Sequence, residues 1–369
     1  MKILHTVQLY EPHKGGSEEV VRQISERLVA KGHDVTVATA QDPTRTFSEL
    51  NGVQIASFDI KGNSTSGVHG DPEEYRSFVR GFGADVILNY AAQIWTTDLS
   101  FDLLDGLTAK KVLVPCGYLL DNPVFAEYYK ALPTHLRKYD ALIYMSRSYQ
   151  DFRFGEQVGV GDKAVIIPNG ASEEEFTAEV PSFKEAMGIK TPLMALAVSN
   201  HYHLKGHRRI IDAFLATGLK DATLVIIGEH EGPPWANCYY SCRLRSWIDR
   251  RIQILQGVPR ELVVAAYKEA DVFVLGSDIE CAPLVIYEAM AAGTPFVSAD
   301  CGNVKDNVTA GVVVDSTQAM TDALKNFLED PSLRQAYGER GREKWKSDHT
   351  WSRIADQYES LYMKLVGST

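Results

Sequence analysis

The 369-residue sequence has few cysteines, no long apolar run and no excess of basic residues. Its five cysteines are odd in number and scattered, which disfavours a disulfide framework and favours a reducing compartment. The first residues, MKILHTVQLY, are too short and too polar for a secretory signal, and no stretch of about 18 apolar residues occurs anywhere. The net charge of −10 argues against general binding to nucleic acid or anionic membranes. We therefore expect a cytoplasmic protein without an integral membrane segment.

The composition and the order of the apolar segments predict two α/β domains. Hydrophobic residues make up 45% of the chain and charged residues 23%, as in globular proteins, and the length fits two domains. KILHTVQL predicts a buried strand, SEEVVRQISERLVAKG has apolar residues at helical spacing, and HDVTVATA predicts a second strand. Ser17 is a candidate cap for this helix. Strand-helix-strand repetition predicts parallel, doubly wound sheets.

The pattern restarts in the second half of the chain, after a polar stretch, ASEEEFTAEVPSFKEAMGIKTP, that contains no long apolar run. We therefore place one domain at residues 1–175 and another at residues 190–349. The last helix, within residues 350–369, is strongly amphipathic and must pack on another surface. Further strands are expected at residues 53–60, 85–89, 111–115, 141–145, 164–167, 193–198, 223–228 and 252–256.

Gly15 and Gly16 lie in the loop between the first strand and the first helix. Paired glycines at a helix start let the backbone approach a ligand, and the helix N-terminus favours an anion or a sugar hydroxyl. A tight turn that needs a flexible backbone explains them equally well. No GxGxxG occurs here, which disfavours a nicotinamide cofactor in this half.

A second loop, NHYHLKGH at residues 200–207, follows a predicted strand and precedes a predicted helix. This position is the carboxyl end of a doubly wound sheet, where ligands bind, and Lys205 can neutralise a phosphate there. The three histidines could suggest a metal, but loop histidines are more often hydrogen-bonding or solvent-facing groups. Cys238 and Cys242 could form half of a metal site, but no second ligand pair stands nearby. We therefore predict no metal.

The third segment, DIECAPLVIYEAMAAGTP from Asp278, carries the strongest signal. Glu280 lies in a loop, Pro283 is well placed to open a helix, and Glu288 follows between one and two turns into that helix. The free N–H groups of Leu284 and Val285 could hold a diphosphate, while the carboxylates hold sugar hydroxyls. A solvated loop glutamate and a surface helical glutamate are the simpler alternative. The helix is so apolar, however, that Glu288 should be partly buried and should need a partner.

Glu280 and Glu288 enclose seven residues and are followed by AMAAGTP, which resembles the E-x7-E motif of retaining glycosyltransferase family 4. The resemblance covers nearly the whole chain, including the Gly15-Gly16 loop, Lys205-Gly206 and the closing helix. It implies a GT-B fold: two doubly wound Rossmann-like domains facing a cleft, with the C-terminal helix packing back on the first domain. The second domain would bind the donor and the first the acceptor.

The resemblance also implies roles for the matching residues. Glu280 would contact the transferred sugar and Lys205 the diphosphate, as the two catalytic residues, and Glu288 would hold the ribose hydroxyls. Lysine and the helix dipole would neutralise the leaving group, so no catalytic metal or cofactor is expected. The donor would be a UDP or GDP sugar. Its remaining contacts would come from Gly15, Gly16, Asn200, Leu284, Val285 and the base-lining segment Leu255–Val258, which includes Gly257.

Two positions depart from the family pattern. Asn200 stands where the family commonly has arginine, and His203 or His201 could partly replace that phosphate contact. Cys116 stands where the family commonly has histidine, which leaves a sugar contact uncertain; no His–Asp pair supports it as a nucleophile. We expect a retaining hexosyltransferase. The alternatives are a weak or inactive nucleotide-sugar-binding partner protein, or a sugar-nucleotide epimerase.

Residues 228–255 interleave aromatic residues with arginines. This pattern favours an amphipathic helix with snorkelling arginines on the second domain, although contact with nucleic acid, an acceptor or a membrane interface is an alternative. The acceptor could be a sugar, a lipid-linked molecule or a small molecule. We expect no nucleic-acid partner and leave open a peripheral contact with the inner face of a membrane.

Overall fold

The computed structural model describes residues 1–230, 233, 235 and 237–367. The chain divides into two compact units. Unit 1 comprises Met1–Asn169 together with the last helix, and unit 2 comprises Gly170–Thr350. The junction between the units thus lies a few residues before the predicted end of the first domain.

In the described part of unit 1, eight strands form one sheet in the order β10-β9-β8-β7-β1-β2-β4-β3. Every pairing is parallel except that of β3 with β4, and β5 and β6 form a separate antiparallel hairpin. The central strands are apolar throughout because helices cover both faces of such a sheet. The strands are β1 (Lys2–Thr6), β2 (Asp34–Ala40), β3 (Glu49–Leu50), β4 (Val53–Phe58), β5 (Ile60–Asn63), β6 (Gly67–Gly70), β7 (Val86–Tyr90), β8 (Lys110–Val114), β9 (Ala141–Tyr144) and β10 (Ala164–Ile166).

The first helix begins two residues earlier than a cap at Ser17 would place it. Gly15 is the N-cap, so Ser17 lies inside the first turn and cannot cap the helix. The prediction of Ser17 as cap is therefore wrong; its hydroxyl instead lies 3.9 Å from the thiol of Cys116. The helices of this part of unit 1 are α1 (Gly16–Ala30), α2 (Pro72–Phe82), α3 (Trp95–Asp98), α4 (Ala126–Leu136) and α5 (Gln150–Gln157).

Unit 2 contains, in its described residues, a six-stranded parallel sheet in the order β13-β12-β11-β14-β15-β16. Its strands are β11 (Leu193–Val198), β12 (Ala222–Ile227), β13 (Ile252–Leu255), β14 (Val272–Leu275), β15 (Phe296–Ala299) and β16 (Gly311–Val314). Its helices are α6 (Glu173–Thr177), α7 (Phe183–Met187), α8 (His207–Ala216), α9 (Tyr239–Ile248), α10 (Arg260–Glu269), α11 (Leu284–Ala292), α12 (Thr317–Glu329) and α13 (Pro331–Asp348). The alternating architecture predicted for both halves is confirmed.

The strand order of unit 2 reverses between β11 and β14. The connection from β11 runs to one side of the sheet and the connection from β14 to the other, so the loops after these two strands diverge. In open α/β sheets, ligands bind in the crevice that such a reversal opens at the carboxyl ends of the strands. The loop after β11 carries Lys205, and the loop after β14 carries Glu280. The topology thus brings two of the predicted site residues to one edge.

The polar stretch before β11 is part of unit 2 rather than a bare linker. It forms α6 and α7, capped by the hydroxyls of Ser172 and Ser182. Phe176 and Phe183 are buried in the core of unit 2, and the ring of Phe176 packs edge-on against Tyr267. Phe176 and Phe183 therefore anchor this segment in unit 2, although most of its residues are polar.

The last helix, α14 (Trp351–Gly367), packs on α1 as part of unit 1. The predicted amphipathic face is confirmed because Trp351, Ile354, Tyr358 and Tyr362 are buried. The Tyr362 hydroxyl lies 3.1 Å from Nε2 of His5. Burial lowers the pKa of His5 to about 3, so this imidazole is neutral in the folded protein.

Helix α9 confirms the helix predicted among the arginine-rich residues. It buries Cys242 and Ser246, whereas the side chains of Trp247 and Ile248 are exposed. The predicted segment also includes Glu231, Gly232, Pro234 and Ala236, which lie outside the described residues. Among the described residues, none of the helices combines the length and apolar character needed to cross a membrane.

Candidate functional site

Two glycines bring the loops after β11 and β14 into direct contact. Gly206 has a φ of 64°, and a Cβ at this position would meet the carbonyl oxygen of Gly276 at 1.9 Å. Glycine is therefore the residue that this left-handed conformation and this close approach both allow. The N–H of Asp278 also donates to the carbonyl of Leu204 over 2.8 Å. These backbone contacts fix the position of Lys205 relative to the second loop.

Lys205 and Glu280 form an ion pair at this edge of the sheet. The lysine Nζ lies 2.7 Å from Oε1 of Glu280, and their side chains are 28% and 16% exposed. Both groups are thus partly desolvated but still reachable from solvent. A charge in this setting interacts more strongly with a ligand than a fully exposed one does. The structure therefore brings the two predicted catalytic residues together.

Helix α11 begins beside Glu280. Pro283 occupies the N-cap, and proline has no side-chain oxygen with which to cap the helix. The first N–H groups of any helix lack intrahelical acceptors, and the helix dipole adds partial positive charge there. The half-buried Leu284 and Val285 carry such N–H groups. The N-terminus of α11 therefore offers the anion-binding geometry that the sequence predicts.

Glu288, in the second turn of α11, is 13% exposed and is paired. Nη2 of Arg260 lies 2.5 Å from Oε1 of Glu288 and 2.7 Å from Oε2 of Glu175. Burial by itself lowers the pKa of Arg260, but the two carboxylates outweigh that effect and raise it. The prediction that Glu288 is partly buried and needs a partner is confirmed.

Sequence reasoning missed Arg260 and Glu175. Arg260 opens α10 directly after Pro259, two residues beyond the segment predicted to line a base. The only sequence signal for it was the requirement that Glu288 have a cationic partner. Glu175 belongs to the polar stretch after Gly170 and was placed at the end of the first domain, away from Glu288. Both residues become relevant only when α6, α10 and α11 pack together.

Two of the remaining candidates in unit 2, Asn200 and Gly257, contact Glu229. The N–H of Gly257, which has a φ of 63°, donates to Oε1 of Glu229 over 2.6 Å. The side-chain oxygen of Asn200 accepts from the N–H of Glu229 at 3.2 Å. Leu255, at the end of β13, is partly buried, and the exposed His203 contacts the carbonyl of Trp235 at 3.3 Å. Asn200 thus supports the turn after β12 in addition to any ligand contact.

Cys116 lies in unit 1, in a left-handed conformation with a φ of 60° just after β8. Its sulfur lies 3.9 Å from the hydroxyls of both Ser17 and Tyr90, which brings it close to the start of α1 after Gly15 and Gly16. Burial raises the pKa of the Cys116 thiol to about 11. The thiol is therefore protonated at neutral pH, which argues against a cysteine nucleophile because the thiolate is the reactive form.

Two family models match the chain. The model described as "Glycosyl transferase 4-like domain" matches residues 15–170, and that described as "Glycosyl transferases group 1" matches residues 179–344. The chain belongs to the GT-B glycosyltransferases of the family 4 type. The two matches together span both units of the chain, and the range 179–344 contains Lys205, Glu280 and Glu288.

Related proteins of known name are glycosyltransferases. A GDP-mannose-dependent α-(1-6)-phosphatidylinositol monomannoside mannosyltransferase of Mycolicibacterium smegmatis is 27% identical over 227 residues, covering 57% of this chain and 58% of that protein. A D-inositol 3-phosphate glycosyltransferase of Corynebacterium diphtheriae is 30% identical over 217 residues, covering 54% and 50%. The chain thus spans about half the length of the relatives it matches.

Solved structures share the fold of this chain over its whole length. Sucrose-phosphate synthase from Thermosynechococcus elongatus superposes with a TM-score of 0.81 at 18% identity, covering 100% of both chains. Anabaena HepE in complex with UDP superposes with a TM-score of 0.77 at 18% identity, covering 99% of this chain and 100% of that one. At these identities the comparison establishes the GT-B fold.

Proposed function

We propose that the protein transfers a hexosyl group from a nucleoside diphosphate sugar to an acceptor hydroxyl, with retention of the anomeric configuration. The observation that carries this proposal is the Lys205–Glu280 pair at the strand-order reversal of unit 2, next to the N-terminus of α11. A cation and a helix N-terminus suit the diphosphate of such a donor, and an acceptor of hydroxyl protons suits its sugar.

In the proposed complex the diphosphate contacts Lys205 and the N–H groups of Leu284 and Val285. As the phosphate becomes the partner of Lys205, the carboxylate of Glu280 is released to accept hydrogen bonds from the transferred sugar. Glu288 accepts from the ribose hydroxyls while Arg260 keeps it charged and oriented. The base lies along Leu255–Val258, and Asn200 supports this end of the site.

In the transfer step, the bond between the anomeric carbon and the diphosphate oxygen breaks, and a bond to the acceptor oxygen forms on the same face. The acceptor proton passes to the leaving diphosphate. Lys205 and the α11 dipole stabilise the charge that develops on that diphosphate. We therefore propose that the chemistry requires no metal at the phosphates.

We propose a UDP or GDP sugar as donor. HepE, with the same fold, is described in complex with UDP, and the Mycolicibacterium smegmatis relative is described as GDP-mannose-dependent. The acceptor is a sugar, a lipid-linked molecule or a small molecule; the two relatives act on a phosphatidylinositol monomannoside and on inositol 3-phosphate according to their names. For a lipid-linked acceptor, we propose that the protein also makes a peripheral contact with the membrane. The contributions of Gly15, Gly16 and His203 stay predictions.

The test incubates the purified protein with UDP- and GDP-hexoses, with and without candidate acceptors, and measures free nucleoside diphosphate and the anomeric configuration of the product by NMR. We expect diphosphate release that depends on an acceptor, with a retained product. Binding without release would favour the inactive partner protein, to which Asn200 and Cys116 point as departures from the family pattern. Formation of an epimer without any glycoside would favour the epimerase.

A further inference from the structure

Four buried side chains with metal-binding atoms converge in unit 2. Their ligand atoms all lie within 4.8 Å of one another. The expectation that the two cysteines lack a second ligand pair is wrong, because the loop after β11 and the first residue of α8 supply that pair, more than 30 residues earlier in the chain. We call these residues the Cys2His2 cluster: His201, His207, Cys238 and Cys242.

The spacing within the Cys2His2 cluster fits a tetrahedral zinc site. With Zn–N near 2.05 Å and Zn–S near 2.3 Å, the edges of the tetrahedron are about 3.3 Å for two nitrogens and about 3.6 Å for nitrogen and sulfur. Nδ1 of His201 and Nδ1 of His207 are 3.1 Å apart. The sulfur of Cys238 lies 3.3 Å from Nδ1 of His207 and 3.7 Å from Nδ1 of His201.

The backbone aims these side chains at a common point. Cys238 is the N-cap of α9 and Cys242 lies four residues later, so both thiols lie on the same face of the helix. The N–H of Cys238 donates to the carbonyl of His201 over 3.3 Å, and a bridge between Tyr202 and Asn237 ties the same two segments. The arrangement therefore rests on backbone contacts as well as on side chains.

A hydrogen bond outside the cluster orients one of its imidazoles. Nε2 of His207 lies 2.8 Å from the hydroxyl of Ser199, which leaves Nδ1 directed at the cluster. A metal-bound histidine typically uses its second nitrogen in this way, because the outer hydrogen bond fixes the tautomer and the ring.

The simpler alternative is a buried group of thiols and imidazoles that hydrogen-bond to one another. Thiols are weak hydrogen-bonding groups, so this arrangement would compensate poorly for burying four polar side chains. Two sulfur and two imidazole ligands in a tetrahedron are the set that selects zinc over magnesium or calcium. We propose that the Cys2His2 cluster binds a structural zinc ion. Four protein ligands close the site, so the ion has no open position for a substrate.

The zinc site would brace the loop that carries Lys205. Lys205 and Gly206 lie between His201 and His207, so a metal bound to both histidines would hold the two ends of the loop. The proposed metal is therefore structural for unit 2, and its existence does not depend on the transferase proposal. Its effect on donor binding does rest on the proposed function.

The test measures metal in the full-length protein, purified under reducing conditions, by mass spectrometry of the elements. We expect about one zinc per chain in the wild type and less than about a tenth of that in Cys242→Ser. Cys301→Ala is the matched control, because Cys301 is also a buried free cysteine of unit 2 but lies outside the cluster, and it should retain the wild-type zinc content.

A second measurement needs no variant and remains valid if Cys242→Ser fails to fold. Replacing zinc by Co²⁺ in the wild type should give the intense visible absorption of tetrahedral cobalt with thiolate ligands, and chelation should lower the Tm. Wild-type protein that holds less than about 0.1 zinc after incubation with zinc, or a Cys238–Cys242 disulfide in the reduced preparation, would overturn the proposal. A transferase assay that fails while zinc is present would count against the proposed function alone.

Discussion

The loops at the strand-order reversal of unit 2 and the turn after β8 in unit 1 both follow the carboxyl ends of parallel strands but carry different chemistry. Unit 2 presents charged groups in pairs, Lys205 with Glu280 in these loops and Arg260 with Glu288 on α10 and α11. The unit 1 turn presents the neutral thiol of Cys116 beside two hydroxyls. The same architecture thus provides the position of a site, whereas the side chains decide whether that position can stabilise a leaving anion.

Lys205→Met should give the largest effect, because it removes the cation from the unit 2 pair. Loss of one group that stabilises transition-state charge typically lowers kcat by about 10²–10³ fold. Steady-state kinetics on the full-length protein, with nucleoside diphosphate release as the readout, measures it. The exposed Lys220→Met serves as the control and should behave as the wild type. If Lys205→Met changes kcat by less than about twofold, Lys205 is not part of the catalytic site.

Glu288→Gln should raise the KM for the donor by about tenfold or more, since a hydrogen bond to a charged group contributes about 1.5–3 kcal/mol. The matched control is Glu175→Gln, because Glu175 is the other carboxylate paired with Arg260 but does not lie on α11. We expect Glu175→Gln to raise the KM for the donor by less than about threefold. Equal effects of the two variants would mean that Arg260, and not the ribose, accounts for the importance of Glu288.

We expect His5, in unit 1, to affect the free energy of unfolding more than the rate of turnover. His5 has a pKa of about 3 in the folded state, against about 6.5 when unfolded. Its contribution to stability is therefore present above about pH 6.5 and is lost as the pH falls toward 3, by up to about 1.4 kcal/mol per pH unit.

Urea unfolding between pH 5 and 7 should show this loss in the wild type and a weaker pH dependence in His5→Gln. The exposed His69→Gln provides the control and should keep the wild-type slope. If His5→Gln retains the wild-type slope, another group is responsible for the acid sensitivity.

Cys116→Ala should give the smallest effect, at most about threefold on the KM for the donor, because a protonated thiol is a weak hydrogen-bonding group. Iodoacetamide at neutral pH should leave the activity intact, since burial raises the pKa of this thiol to about 11. If Cys116→Ala lowered the activity by about a hundredfold or more, essential chemistry would lie in unit 1 as well as in unit 2.

The spacing of apolar residues along the sequence was enough to predict the strands and the burial of Glu288, because both depend on local patterns of apolar residues. It misplaced the cap of α1, where Gly15 rather than Ser17 occupies the N-cap. It also missed Arg260 as the partner of Glu288, because that contact requires α10 and α11 to pack side by side. The sequence did not predict the Cys2His2 cluster for a similar reason. Its histidines lie close to its cysteines in space but more than 30 residues from them along the chain.

The hydrogen bond between His5 and Tyr362 joins residues 357 positions apart. During synthesis β1 and α1 emerge before unit 2 and α14 emerges after it, whereas unit 2 is one continuous stretch. Because domains tend to fold as they are synthesised, unit 2 can complete its core before unit 1 does. Unit 1 must wait with the surface that α14 covers exposed to solvent until α14 has been made, and during this interval the nascent chain most needs protection from aggregation.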